Sequence, residues 1–90
     1  MSYRAALVIP CFNHADPLKG LLAKLADLGL TIYLVDDGSS QSEQEKINRL
    51  LPKFPFLHLV RRQENGGKGA AVIDGAFAAQ KDAFTHILQI

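Results

Sequence analysis

Tryptophan is absent from this sequence, and cysteine and methionine occur once each. A lone cysteine, Cys11, excludes an internal disulfide scaffold, and the Cys/His spacing of a structural zinc site is missing too. Neither sign of charge dominates: ten Lys+Arg stand against nine Asp+Glu, a net charge of +1. That balance argues against a nucleic-acid partner, whose binding rests on neutralising many phosphates. No apolar run approaches the roughly 20 residues needed to span a bilayer. The start, Met1-Ser2-Tyr3-Arg4, lacks the apolar stretch of a signal peptide, so a cytoplasmic location is the expectation.

What is present describes a folded chain. Of 90 residues, 48% are hydrophobic, 8% aromatic and 21% charged. This is too apolar and too evenly charged for disorder, and too short for two ordinary domains. A chain of this size buries only about 60–70% of the surface that its unfolded form exposes. That suffices for one small domain but is thin for an enzyme with its own cleft.

Short apolar runs alternate with helical spacing. Ala5 to Ile9, closed by Pro10, reads as a strand buried on both faces. Asp16-Pro17 reads as a helix start, followed by Leu18, Leu21, Leu22, Leu25 and Leu28 at helical spacing and by Gly29 as the stop. Thr31 to Val35 is a second strand, ending in the turn-like Asp36-Asp37-Gly38-Ser39-Ser40. Ser40 and Glu43 have capping-box spacing, and the helix after them ends at Pro52 and Pro55. Phe56 to Val60 is a third strand, Gly69 to Asp82 a third helix, and Thr85 to Ile90 a fourth strand. The order predicts an α/β fold: a Rossmann-like, three-layer α/β/α arrangement on a parallel four-stranded sheet.

Three loops then carry side chains with chemistry, and each follows a strand. They are Pro10-Cys11-Phe12-Asn13-His14, Asp36-Asp37-Gly38-Ser39-Ser40 and Asn65-Gly66-Gly67-Lys68-Gly69. In a parallel sheet such loops share one edge, where ligands of open α/β folds bind. Two adjacent carboxylates repel and prefer different environments: one could support the loop, the other accept from a base or ribose. The same composition also suits a solvated turn. The glycines permit close backbone approach, a helix N-terminus favours anions, and Lys68 suits phosphate. The Gly-x4-Gly-Lys-Ser/Thr and Gly-x-Gly-x-x-Gly fingerprints are both absent, and a flexible connection would have similar composition. Phe12 could pack on a base and Asn13 could bond a neighbouring loop. Cys11 reads as a small buried residue, and His14, His58 and His86 lack ligand spacing. Arg61 and Arg62 end the third strand close to the same edge and could bear on phosphate, but a solvated strand end is the preferred reading. A phosphoacceptor domain would carry its acidic pair after the first strand, whereas here the pair follows the second.

Together, Val8-Ile9-Pro10-Cys11-Phe12-Asn13, Leu34-Val35-Asp36-Asp37-Gly38-Ser39 and Asn65-Gly66-Gly67-Lys68-Gly69-Ala70-Ala71 resemble the N-terminal half of family 2 glycosyltransferases of the GT-A fold. The glycine segment looks most like the branch with dolichyl- and polyprenyl-phosphate sugar synthases. The resemblance implies that residues 1–90 are the nucleotide-sugar-binding part of a glycosyltransferase domain, using a UDP- or GDP-sugar donor. Pro10, Phe12 and Asn13 would line or flank the nucleoside pocket. Asp37 would meet the base, with Asp36, Gly38 and Ser39 shaping its loop. Asn65, Gly67, Lys68 and Gly69 would lie near the base or diphosphate. His14 departs from the pattern, where an acid often follows the asparagine. In the family, the fourth strand leads into an Asp-x-Asp motif holding a divalent cation, Mg2+ or Mn2+. No such motif occurs here, so its ligands are expected beyond Ile90, and the ninety residues alone are expected to be inactive in transfer. The acceptor would be a lipid phosphate or a saccharide, the former implying work at the inner face of a membrane. Self-association through an uncovered Thr85–Ile90 strand is a further expectation.

Overall fold

The computed structural model describes residues 3–90. Strands and helices alternate as β1 (Ala5–Cys11), α1 (Leu18–Leu25), β2 (Thr31–Asp37), α2 (Gln41–Leu50), β3 (Leu57–Arg62), α3 (Lys68–Lys81) and β4 (His86–Gln89). Single 3-10 turns, Ala26–Leu28 and Leu51–Lys53, extend α1 and α2. The strands form one parallel sheet in the order β3-β2-β1-β4. This is the predicted α/β architecture. No helix among the described residues is long and apolar enough to cross a membrane.

The apolar runs of β1 and β2 are continuous because these central strands are covered on both faces. Alternate residues separate into two cores. Leu7, Ile9, Ile32 and Leu34 pack with Leu18 and Leu22 of α1 and Ile47 and Leu50 of α2. Ala6, Val8, Tyr33 and Val35 pack with Ala71 and Ala79 of α3. Leu22 is fully buried, and truncating it to alanine should cost about 2–5 kcal/mol. On the other face, Gly75 lets α3 sit directly on the sheet: a Cβ there would come within 2.6 Å of Val8 Cγ1 and 2.9 Å of Val35 Cγ2.

Several boundaries differ from the sequence expectation. β1 runs through Pro10 to Cys11. Ile90 N donates to Val8 O (3.2 Å), so the Pro10 nitrogen, two residues on, also faces the β4 side, where the ladder has ended. Its missing N–H therefore loses no bond. β2 extends to Asp37 and β3 to Arg62, so both charged pairs belong to strands. Pro17, not Asp16, occupies the N-cap of α1, and Asp16 pairs with Lys46 at 3.0 Å. Ser40 is the N-cap of α2, but the capping box does not form. Glu43 is drawn away, accepting from Ala15 N (3.3 Å) and pairing with Lys46 (3.1 Å). Gly29 does end its turn, in the left-handed conformation at φ 67°. β4 is an edge strand, shorter than Thr85–Ile90, with Leu88 and Ile90 about half exposed.

Candidate functional site: three loops at the C-terminal sheet edge

The site is organised by the pleat of β2. Successive strand residues face opposite sides, so Asp36 joins the α1/α2 face and Asp37 the α3 face. The next strand supplies a matched arginine to each, because Asp36 registers with Arg61 and Asp37 with Arg62. Asp36 is wholly buried. Its Oδ1 accepts from Ser39 N (3.1 Å) and its Oδ2 from Arg61 Nε (3.1 Å). Asp37 Oδ1 accepts from Arg62 Nε (2.7 Å) and Gly66 N (3.0 Å), and its Oδ2 from Gly67 N (2.9 Å). Burial alone would raise the Asp37 carboxyl. The Gly66 N–H, the Arg62 guanidinium and the Gly67 N–H outweigh it and hold the group below its ordinary value. Asp37 is therefore a fixed anion at neutral pH.

The loops interlock. Asn13 N donates to Ser39 Oγ (2.9 Å), and Asn13 Oδ1 accepts from Ser40 N (2.8 Å). Gly38 turns the chain at φ 77°, and a Cβ there would overlap the backbone of Glu64 and Asn65. Asn13, Asp36, Gly38 and Ser39 thus build the frame and do not line the cavity.

In front of that frame lies an open cavity of about 410 Å³, lined by Pro10, Cys11, Phe12, Asp37, Asn65, Gly67, Lys68 and Ile90. The apolar part of the lining comes from Pro10, Cys11, Phe12 and Ile90, with Phe12 47% exposed. The polar part of the lining comes from Asp37, Asn65, Gly67 and Lys68. Lys68 opens α3, whose first-turn N–H groups lack intrahelical acceptors and favour an anion. Gly69 lies in that turn, outside the cavity lining. The arrangement suits a ligand with a flat ring, an N–H or O–H donor and a phosphate. Burial is the main influence pushing the Cys11 thiol up, so it stays protonated and serves as wall. No group of three His, Cys, Asp or Glu able to hold a metal occurs among the described residues. Asp36 and Asp37 point to opposite faces, so together they do not fit a divalent cation.

The solvated reading of Arg61 and Arg62 is corrected: each is bound to a buried carboxylate. Arg62 also pairs with Asp74 of α3. Asp74, Cys11 and Ile90 were not among the expected site residues. For the arginines a signal existed, since Asp-Asp and Arg-Arg end consecutive parallel strands in matching order.

The chain belongs to glycosyl transferase family 2, whose family model matches residues 6–87. Among curated proteins it is 32% identical over 85 residues to a dolichol-phosphate mannosyltransferase of Pyrococcus furiosus, covering 90% of this chain and 24% of that protein. It is 28% identical over 85 residues to an uncharacterised protein of Methanocaldococcus jannaschii, covering 92% of this chain and 37% of that one. This chain therefore spans only 24% and 37% of the length of those relatives. A mannosyltransferase of Pyrobaculum calidifontis, solved in complex with GDP-Man and Mn2+, shares the fold. The TM-score is 0.68 at 22% identity, over 89% of this chain and 25% of that one.

Proposed function

We propose that the three-loop cavity binds the nucleoside diphosphate part of a nucleotide-sugar donor. The observation that carries this reading is the Asp37 carboxylate, held charged at the cavity wall with the Phe12 ring exposed on the same cavity and the N-terminus of α3 beside it. Oδ1 already accepts two hydrogen bonds, whereas Oδ2 accepts one and keeps a lone pair for a base or ribose donor. Phe12 offers a stacking surface, and Lys68 with the α3 amides offers charge for phosphate. For the whole protein the reading is transfer of the sugar to an acceptor such as a lipid phosphate or a saccharide. The donor is read as a UDP- or GDP-sugar, a reading supported by the GDP-Man bound to the Pyrobaculum calidifontis mannosyltransferase.

Titration calorimetry with UDP and GDP tests the reading. Binding of at least one is expected, weakened about tenfold or more by Asp37→Asn through loss of a charged acceptor. Lys68→Ala should lower affinity and flatten its salt dependence while leaving the fold unchanged. Failure of the folded wild-type chain to bind either nucleotide overturns the reading and favours an interaction module.

A further inference from the structure

We propose that Arg62, anchored by Asp74, is a positioning residue that sets the orientation of the Asp37 carboxylate and of the Gly66–Gly67 turn. Its consequence for the ligand rests on the nucleotide-binding reading above. The geometry itself does not.

Arg62 touches three separate elements. Its Nε donates to Asp37 Oδ1 on β2 at 2.7 Å, and its Nη1 donates to Asp74 Oδ2 on α3. Its Nη2 lies against Gly66, where an added Cβ would overlap it and would also meet Ala70 Cβ at 3.2 Å. One guanidinium thus ties the end of β2, the glycine turn and the second turn of α3 together. Neither Arg62 nor Asp74 lines the nucleotide cavity. They line a groove behind it, with Arg61, Gln63 and Glu64. Any effect on a ligand must therefore pass through Asp37 and the turn.

The arrangement needs arginine. A planar fork can direct separate N–H groups to two carboxylates while its third nitrogen packs under a backbone, whereas an ammonium is a single point charge. The charges facing Asp37 are few: Arg62 from β3, Lys68 at the start of α3 and, through Arg62, Asp74. Asp36 is directed to the opposite face. The Asp74 bond and then the Asp37 bond hold the guanidinium above its ordinary value, and Arg62 in turn helps hold Asp37 down. Asp74 has 39% of its side chain exposed, so it can be altered without opening the core.

The test reads the apo protein first. The Asp37 carboxyl is titrated by carbon NMR, and the Gly66 and Gly67 amides are followed, in wild type, Asp74→Asn, Arg62→Lys and, as a control at a distant ion pair, Lys46→Gln. Expected are an upward move of the Asp37 titration and shifts of both amides in Arg62→Lys, a smaller move in Asp74→Asn, and none in Lys46→Gln. UDP or GDP affinity should then fall about tenfold in Arg62→Lys and about threefold in Asp74→Asn. A merely structural role would lower the melting temperature without moving the titration. An unchanged Asp37 titration and unchanged amides in both variants overturn the proposal, whatever the nucleotide does. If the titration moves but wild type binds no nucleotide, the positioning role stands and the nucleotide reading falls.

Discussion

Asp36 and Asp37 are chemically identical neighbours, both buried and both paired with an arginine of β3. What differs is the side of the sheet. Asp36 faces the thicker core under α1 and α2, and its bonds to Ser39 and Arg61 close a local frame. Asp37 faces α3 at the point where that helix begins, and besides Arg62 its partners are the Gly66 and Gly67 amides of the glycine turn. The lesson is that the pleat, not the residue type, divides labour between the two. A one-residue slip of β2 would exchange their environments.

Gly38, which follows Asp37 and packs on the Glu64–Asn65 backbone, tolerates substitution least. Gly38→Ala places a side chain at positive φ and against the Glu64–Asn65 backbone, so it should destabilise by on the order of 3 kcal/mol or more. A denaturant midpoint close to wild type would refute that. Next comes Asp36→Ala, which leaves Arg61 without its carboxylate partner. Its expected cost is about 2–4 kcal/mol in urea unfolding. If Asp37→Ala proved more damaging to the fold than Asp36→Ala, the division of labour would be reversed.

A pH series sharpens the contrast further. The folded-state value of Asp37 lies below its ordinary 3.8. It therefore contributes stability above that pH which is lost as pH falls through the lower folded value. Wild type and Asp37→Asn should converge in thermal stability on acidification, and parallel curves would show that the ion is not stabilised. The smallest effect belongs to the opposite end of the α3 face. Burial, reinforced by the hydrogen bond to Asp82, pushes Tyr33 from 10.0 up to about 12. A raised value contributes stability below pH 10 that is lost as pH rises toward 12. Tyr33→Phe should flatten that alkaline limb and change stability at pH 7 by no more than about 1 kcal/mol.

The alternation of strands and helices was legible because β1 and β2 bury continuous runs and α1 and α2 each bury a helical stripe. The Leu18–Leu25 spacing and the Gly29 stop follow from local chemistry, whereas Leu28 falls in the 3-10 turn and is exposed; the convergence of the three loops follows from the parallel order of the strands. The strand ends were not legible. Pro10, Asp36-Asp37 and Arg61-Arg62 have turn or surface composition, and only their pairing across strands makes them sheet residues. Capping failed for the same reason. Ser40 and Glu43 have the right spacing, but Glu43 finds Ala15 and Lys46, which arrive from elsewhere in the chain. Of the expected site residues, Pro10, Phe12, Asp37, Asn65, Gly67 and Lys68 meet at the cavity, while the others support it from behind or beside.

The close seat of Gly75 on Val8 and Val35 makes that contact a fulcrum. Lys68 and Gly75 are both on α3, and the span between them is about 10 Å at ~1.5 Å per residue. A tilt of about 10° at the fulcrum would swing the lysine end by roughly 2 Å, enough to part the Gly67 N–H from Asp37. One absent methyl group in the middle of a helix therefore sets the aim of a charge at its tip.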